Sequence, residues 1–433
     1  MKNIKRGWFF RWWMVGLLSV FSLTSAIGHA LGEVRNESLA GLSPAEEFAR
    51  LKDKYPDESA VITELRRKME VTVSGDSLVI LVSYYQETMI LQNPLAFSKE
   101  EVYSNSFSKV DQLKAYTMTP GKKKYGKANV SDFKRSYDKD SFVFFDDTEV
   151  ISFNYPQLTE GSKIVKEYTT TMSDPHLLGR FYFSNYLPVV NARYEILADK
   201  TVTIDHGVFN DQAGVIQFDK SNVGNKVRYL YTAKDLPAID VKADGPKFSY
   251  LTQSAHGTIS SYETADGQTI SVLSSLDDLH SWYRTFIDDL EVDQSVEMLA
   301  TSIVAEDDSD MDKVRKIFYW VQENVRYIAF EQGMRGFIPH AADYVMEKRY
   351  GDCKDMTSIL VGLLKSQGLN AHYTWIGTRD LPYKYTELPT PSVDNHMIAS
   401  VELDGKTIFL DATGSYSPLG FPTSMIQGKE SLI

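Results

Sequence analysis

Cysteine is almost absent from this chain of 433 residues, which contains only Cys353. A single cysteine cannot form a disulfide within the chain, so the fold has no disulfide framework. The paired-cysteine zinc motifs are excluded as well, and the eight histidines are scattered along the sequence. His340 and Asp343 form only an isolated pair, which offers too few ligands for a metal site. We therefore expect neither a metal nor another cofactor.

Basic residues are too few to give the chain a positive charge. The net charge is -12, with 58 acidic side chains against 46 lysines and arginines. Nucleic acid and anionic membrane surfaces repel a protein of that charge, so neither is an expected partner. With 43% hydrophobic and 24% charged residues, the composition is that of a globular protein, long enough for two or three domains.

Long apolar runs are confined to the N-terminus. Residues 12–27 are mostly apolar, follow a positively charged start, and precede the small residues Gly28 and Ala30. The run is shorter than the about 20 apolar residues of a spanning helix. It predicts a signal peptide over residues 1–30 and a bacterial protein exported to the periplasm or beyond, without stable membrane insertion after cleavage. An uncleaved signal anchor is the alternative.

Strand-like runs dominate residues 31–270. Residues 61–73 and 78–91 have strand composition, and Ser74-Gly75-Asp76 between them is a hairpin signal. Further short runs are separated by turns rich in Asp, Asn, Gly and Pro. They cover residues 141–145, 150–155, 162–171, 193–197, 214–218 and 227–232. This spacing predicts an antiparallel β-sandwich domain.

Helical spacing appears in residues 271–433. Apolar side chains recur on one face over residues 275–290 and again over residues 311–325. Residues 329–346 contain two glycines and a proline, which predicts a loop beside a cleft. The fold class we expect is α+β, with the sandwich domain followed by a smaller mixed domain.

The only cysteine lies at a predicted helix start. Apolar side chains have helical spacing over residues 356–364, Asp352 can cap the helix, and Gly368 can end it. In the first turn, the helix dipole and free backbone N–H groups favour the nucleophilic thiolate of Cys353. Alternatively, Cys353 is a small buried hydrophobe. A free thiol in an exported protein requires a reason, however, and catalysis is one.

A predicted β-hairpin brings a histidine and an aspartate together. The strand-like runs 394–403 and 406–411 flank an Asp-Gly dipeptide, a strong signal for a two-residue turn. This turn places the apolar side chains of both strands on one face. His396 and Asp411 then share the opposite face as diagonal neighbours, about 7–8 Å apart. Asn395 either braces the histidine or merely begins its strand.

Cys353, His396 and Asp411 have the residue types of a cysteine catalytic triad. An imidazole beside a cysteine takes its proton, and an aspartate fixes the imidazole tautomer and stabilises the imidazolium. The backbone N–H of Cys353 is the expected first oxyanion donor. Tyr327 and Tyr350 are candidates for the second donor or are packing residues.

Several motifs resemble the bacterial transglutaminase-like superfamily over residue 276 to the end. They are the run 320–327, the GDCKD run at 351–355, Asn395-His396, and the LDAT run at 410–413. The resemblance implies a papain-like fold with Cys353 as nucleophile, His396 as base and Asp411 as the orienting group. Residues 61 to about 260 resemble a β-sandwich domain of unknown function found before such domains in secreted bacterial proteins.

Three functions are consistent with this resemblance, whose members include peptidases, amidases and acyl transferases. The one we favour is hydrolysis of amide bonds in peptides or proteins, with cell-wall peptides among the substrates. The second is acyl transfer from glutamine to an amine. The third is a non-catalytic binding or assembly protein, with the transglutaminase-like domain as a scaffold. The short segment after Asp411 would favour the third if the sheet were incomplete. The sequence gives no expectation of the oligomeric state.

Overall fold

The computed structural model describes Leu39 and residues 41–137, 143–331 and 333–433. The predicted signal peptide, residues 1–30, and the beginning of the predicted strand 141–145 lie outside the described residues. Within the described part of the chain, no helix combines the length and the apolar character needed to cross a bilayer.

The region before residue 275 is rich in strands, as predicted. It opens with helix α1 (Pro44–Lys54), which Ser43 caps, and it includes the short helix α2 (Phe248–Leu251). Its strands are β1 (Ala60–Ser74), β2 (Ser77–Ile90), β3 (Lys99–Ser104), β4 (Ser108–Thr119), β5 (Gly126–Asn129), β6 (Phe133–Tyr137), β7 (Val143–Asp146), β8 (Glu149–Asn154), β9 (Lys163–Met172), β10 (Arg180–Tyr182), β11 (Val189–Asp199), β12 (Val202–Phe209), β13 (Gln217–Val223), β14 (Lys226–Leu236), β15 (Ser254–Glu263) and β16 (Thr269–Ser271).

One large sheet packs against two smaller ones. The large sheet has the order β13-β14-β11-β1-β2-β9-β4-β5, and all its neighbours are antiparallel except β1 and β11, which are parallel. Val82 of β2 shares an apolar core with Ile204 and Ile259 of the sheet β10-β15-β12. Ala115 of β4 shares another core with Phe153 of the sheet β3-β8-β6. The region is therefore a layered β structure, as the spacing of its strand-like runs predicts.

The region after residue 275 combines helices with a small antiparallel sheet. Its helices are α3 (Leu276–Arg284), α4 (Gln294–Ile303), α5 (Asp310–Asn324), α6 (Ala342–Lys348) and α7 (Cys353–Ser366). Its strands are β17 (Arg326–Tyr327), β18 (Ala329–Glu331), β19 (Tyr350–Gly351), β20 (Asn370–Ile376), β21 (His396–Leu403), β22 (Lys406–Leu410) and β23 (Ser431–Leu432). The sheet has the order β22-β21-β20-β23, and α7 packs on it through apolar residues such as Leu360, Ala399 and Val401.

A single apolar core joins the two regions. It contains Tyr194 and Ile259 from the β-rich region together with Trp375 and Met397 from the sheet of the second region. The backbones of β7 and β18 also pair with each other in parallel. The two regions are therefore packed together through buried apolar side chains. The boundary near residue 270 stays a prediction.

Two predicted helical and loop segments differ from the structure. The helix predicted over residues 275–290 ends at Arg284. The Thr285 hydroxyl donates to the Trp282 carbonyl just after this end. A longer helix would also place the acidic residues that follow at the negative end of its dipole, which is unfavourable. The predicted loop 329–346 contains β18 and the start of α6. Helix α6 is too short for a clear periodic signal, although Val345 within it is fully buried.

One predicted strand lies further along the chain than expected. The sequence predicts a strand over residues 214–218, whereas β13 begins at Gln217. The preceding residues form a turn, because the Asp211 carboxylate accepts the backbone N–H groups of Val215 and Ile216 at 2.8 and 3.1 Å. Side-chain to backbone bonds of this kind compete with strand formation.

Candidate active site

Cys353 is the first residue of helix α7, as predicted. The Asp352 side chain accepts the backbone N–H groups of Lys354 and Asp355 at 3.2 and 3.4 Å, and the Asp355 carboxylate accepts the N–H of Asp352 at 3.4 Å. This capping box fixes the start of the helix. Cys353 is half-buried and packs against the shared core. Its sulfur therefore lies at the positive end of the helix dipole.

Buried charged residues surround this helix start. Asp352, Lys354 and Asp355 are all buried, and the Lys354 ammonium pairs with the Asp352 carboxylate. Burial raises the pKa of Asp352, an effect that Lys354 opposes. Asp355 Oδ1 also accepts the backbone N–H of His340 at 2.8 Å and lies 3.1 Å from its ring Nδ1. His340 therefore pairs with Asp355, whereas the sequence suggested only a pair with Asp343.

Gly351 is required by close packing at the same place. A Cβ atom at this position would lie 2.4 Å from the Cβ and 2.7 Å from the Oδ2 of Asp355. The strands β17 and β19 run in parallel here, so that Tyr327 pairs with Gly351 and Arg326 with Tyr350. Both tyrosines suggested as oxyanion donors thus belong to the strand pair beside the helix start.

The hairpin β21–β22 has the predicted register. Val401 pairs with Ile408, and the last pair of the ladder is Ala399 with Leu410. Asp404 and Gly405 in the turn both have positive φ, 51° and 72°, as a type I′ turn requires. Beyond the last pair, the strand ends remain close enough for side chains at the start of β21 and after β22 to meet.

His396 and Asp411 meet at this end of the hairpin. His396 Nε2 lies 3.4 Å from Asp411 Oδ2, and the two residues are 7% and 5% exposed. Burial alone would lower the pKa of His396, but hydrogen bonds and charge from Asp411 and Cys353 outweigh it and raise the pKa to about 10. Burial acts to raise the pKa of Asp411, but His396 and Thr413 lower it below its ordinary value of 3.8. His396 and Asp411 therefore meet as predicted, and Cys353 lies near enough to act on the pKa of the same imidazole.

The chain after Asp411 returns to the sheet. Ser431 and Leu432 form β23, which pairs with Ile376 and Trp375 of β20. Ile426, on the way back, is buried with Ile376 and Ile398. The segment after Asp411 thus contributes both a strand and core packing to this sheet.

Asp394, which the sequence predicts only as the first residue of a strand, is a buried acidic residue. The hydroxyls of Tyr283 and Tyr385 each donate to its Oδ2 at 2.7 Å. Burial raises the pKa of Asp394 to about 7, which these two hydrogen bonds only partly offset. Nothing in the local sequence signals this cluster, because its members lie on α3, on the loop after β20 and just before β21.

Asn395 does not bond to the histidine beside it. Its Oδ1 accepts the backbone N–H of Thr378 at 2.9 Å, and its Nδ2 donates to the Thr378 hydroxyl at 3.1 Å. Asn395 therefore holds the end of β20 against the start of β21.

Within the described ranges, no three His, Cys, Asp or Glu side chains are arranged to hold a metal ion.

Helix α7 begins with Cys353 and packs on an antiparallel sheet, with His396 and Asp411 at one end of its hairpin. This arrangement is that of a papain-like α+β domain. The family model described as "Transglutaminase-like superfamily" matches residues 297–412, and the chain therefore contains a transglutaminase-like domain. The model of a domain of unknown function, DUF3857, matches residues 95–240 in the β-rich region. Both family resemblances predicted from the sequence are confirmed.

Comparison with solved structures supports the same architecture. A candidate protease from Parabacteroides distasonis ATCC 8503 has a TM-score of 0.66 at 14% identity, over 86% of this chain and 70% of its own. At that identity the similarity shows a shared fold alone. A candidate cysteine protease from Cytophaga hutchinsonii matches 54% of this chain and 74% of its own at 15% identity. Its TM-score of 0.24 is too low to support a conclusion about the fold. No curated protein matches the chain in sequence.

Proposed function

We propose that this protein is a cysteine hydrolase that cleaves amide bonds of peptides or proteins, with Cys353, His396 and Asp411 as its catalytic triad. One observation carries the proposal: Nε2 of the buried His396 lies 3.4 Å from Asp411 Oδ2, and the same imidazole is near enough to Cys353 for that residue to raise its pKa. The pKa of His396, raised to about 10, keeps the imidazole protonated at neutral pH, as a proton donor to the leaving amine requires.

In the proposed mechanism, the Cys353 thiolate attacks the amide carbonyl and forms a tetrahedral oxyanion. The backbone N–H of Cys353, at the start of α7, is the proposed first donor to that oxyanion. The imidazolium of His396 then protonates the leaving amine as the C–N bond breaks, which leaves a thioester. Neutral His396 takes a proton from water, the resulting hydroxide equivalent attacks the thioester, and the acid product leaves with Cys353 restored. Asp411 stabilises the imidazolium throughout.

We propose hydrolysis rather than transfer to an amine, and the candidate protease from Parabacteroides distasonis, which shares the fold, supports this choice by analogy only. The predicted signal peptide makes peptides of the bacterial envelope, including cell-wall stems, the proposed substrates. Transfer to an amine and a scaffold without turnover are the rival functions, and one experiment separates all three.

The experiment combines active-site labelling with product analysis. The full chain is incubated with a synthetic peptide library and with cell-wall digests, and peptide products and adducts on Cys353 are mapped by mass spectrometry. We expect free acid products, a trapped thioester or alkyl adduct on Cys353, and loss of turnover in Cys353→Ala and His396→Ala.

A labelled amine added to the same mixture tests the rival functions. Incorporation of the amine into products would instead assign transferase activity. If Cys353 is alkylated no faster than free cysteine and no products form, the result would favour the function of a scaffold without turnover.

A further inference from the structure

We infer that Thr423 is a positioning residue, which holds the Asp411 carboxylate in the orientation in which Oδ2 faces His396. The inference rests on the proposed function. Thr423 Oγ1 donates to Asp411 Oδ2 at 3.0 Å, and this is the oxygen that lies 3.4 Å from His396 Nε2. The hydroxyl of Thr423 therefore acts on His396 through the Asp411 carboxylate.

The two oxygens of Asp411 are held in different ways. Oδ1 accepts the backbone N–H of Thr413 at 3.2 Å and the Thr413 hydroxyl at 2.6 Å. This is a local turn in which an aspartate bonds the backbone two residues further on. Oδ2 is held by Thr423, twelve residues away, through tertiary structure. Both oxygens need a fixed partner, because a carboxylate bound at one oxygen alone can still tilt away from the imidazole.

The segment that carries Thr423 is itself anchored to the helices and the sheet. The Gln322 side chain on α5 donates to the carbonyls of Gly414 and Ser417, the latter at 3.1 Å. The backbone N–H of Leu419 donates to the Tyr319 hydroxyl at 3.3 Å. With Ile426 buried beyond it, Thr423 lies between fixed points on both sides. The hydroxyl is therefore presented to Asp411 by the fold and not by a free loop.

The test is a double-mutant cycle on the full chain, with the rate of Cys353 alkylation by iodoacetamide at pH 7 as the measurement. Thr423→Val removes the hydroxyl and keeps the shape, and we expect it to slow alkylation about tenfold, as loss of a hydrogen bond to a charged group does. Thr423→Ser should keep the wild-type rate. In the Asp411→Asn background, Thr423→Val should have no further effect, because the hydroxyl acts only through that carboxylate.

The matched control is Thr386→Val, the same chemical change at an exposed threonine whose hydroxyl faces Glu430 instead. Its alkylation rate should equal that of wild type. Thermal unfolding checks that each variant is folded, and Thr423→Ala replaces Thr423→Val in the cycle if the valine variant is unstable. Where wild type shows enhanced alkylation, a tenfold loss that persists in Asp411→Asn, or a wild-type rate in Thr423→Val, overturns the inference.

A second readout does not depend on catalysis. In NMR spectra of the protein labelled at its eight histidines, the Nε2 proton of His396 is assigned by its loss in His396→Gln. We expect this proton to exchange with water faster in Thr423→Val than in wild type or Thr423→Ser. If that holds while Cys353 shows no enhanced alkylation even in wild type, the proposed function fails and the positioning role stands. Unchanged exchange and unchanged alkylation in Thr423→Val remove the positioning role alone.

Discussion

Two buried carboxylates lie near the strand that carries His396, and their surroundings shift their acidity in opposite directions. Asp411 follows β22 and lies against the imidazole of His396, and its pKa is lowered although it is buried. Asp394 comes two residues before His396 and accepts hydrogen bonds from Tyr283 and Tyr385, and burial raises its pKa to about 7. Asp411 accepts three hydrogen bonds from Thr413 and Thr423, and Asp394 accepts two from the tyrosines, so the two sites differ in the number of donors as well as in the kind of partner.

The larger difference is the charge of the partner, because His396 lowers the pKa of Asp411 more than Thr413 does. An imidazolium attracts the ionised carboxylate, whereas a tyrosine hydroxyl stabilises it only as a dipole and cannot replace the lost hydration. A buried carboxylate near a cation is therefore suited to stabilise a developing positive charge on histidine. A buried carboxylate between hydroxyls is suited to hold elements together, and here it joins α3 to the loop after β20. The predictions below test this division of roles.

The largest contrast is expected when each carboxylate is replaced by its amide. Asp411→Asn should lower peptide turnover by about 10⁴-fold, because the amide favours the wrong imidazole tautomer and no longer stabilises the imidazolium. Asp394→Asn should change turnover less than tenfold, since its oxygen still accepts from both tyrosines. Initial rates on the same peptide substrate measure both. Equal losses in the two variants would contradict the division.

Removal of the imidazole should have a smaller effect on the reactivity of the thiol. In His396→Ala, alkylation of Cys353 by iodoacetamide at pH 7 should be roughly thirtyfold slower, because an unpaired thiol is only a few per cent thiolate at that pH. Asp394→Asn should alkylate at the wild-type rate. Mass spectrometry of the alkylated peptide over time measures both rates, and a loss in Asp394→Asn equal to that in His396→Ala would mean that Asp394 belongs to the reacting group.

The pH dependence of stability should separate the two acids in another way. Because the pKa of Asp394 rises from 3.8 to about 7 on folding, the folded state binds this proton more tightly than the unfolded chain does, and the resulting stabilisation is fully present below about pH 4 and lost as pH rises through about 7. Asp394→Asn does not titrate, so its stability relative to wild type should increase between pH 4 and pH 8, by an amount on the order of 4 kcal/mol. Urea unfolding at a series of pH values measures this. A constant difference across the range would contradict the raised pKa.

The smallest expected effect is the loss of one tyrosine hydroxyl. Tyr385→Phe leaves Tyr283 as the remaining donor to Asp394 and should destabilise the fold by about 1 kcal/mol, as removal of one hydrogen bond does. In Asp394→Asn the same substitution should cost a similar amount, because the amide oxygen still accepts. Tyr373→Phe, which removes a longer bond of 3.3 Å to Ser358, is the control and should cost less.

The sequence was informative where a signal is local. The Asp-Gly turn fixed the hairpin register, and the register in turn placed His396 near Asp411. The cap at Asp352 and the apolar spacing after it located the start of α7 within one residue. Turn and cap residues act on neighbours a few positions away, which is why a single sequence can reveal them.

Contacts between distant segments were not predictable in the same way. Thr423, Tyr283 and Tyr385 act on aspartates through tertiary structure, and none of them lies in a pattern that marks its partner. The pairing of His340 with Asp355 was missed for the same reason. Short elements such as α6 carry too few residues to show periodicity, although burial of Val345 makes the helix part of the core.

The apolar core that joins Tyr194 and Ile259 to Trp375 and Met397 has a practical consequence for anyone who wishes to assay the second region by itself. A fragment starting near residue 271 would lose its partners across that core and expose the side chains that faced them. Freshly uncovered apolar patches cause aggregation. Biochemistry on this protein should therefore begin with both regions on one polypeptide, and limited proteolysis is expected to yield insoluble fragments.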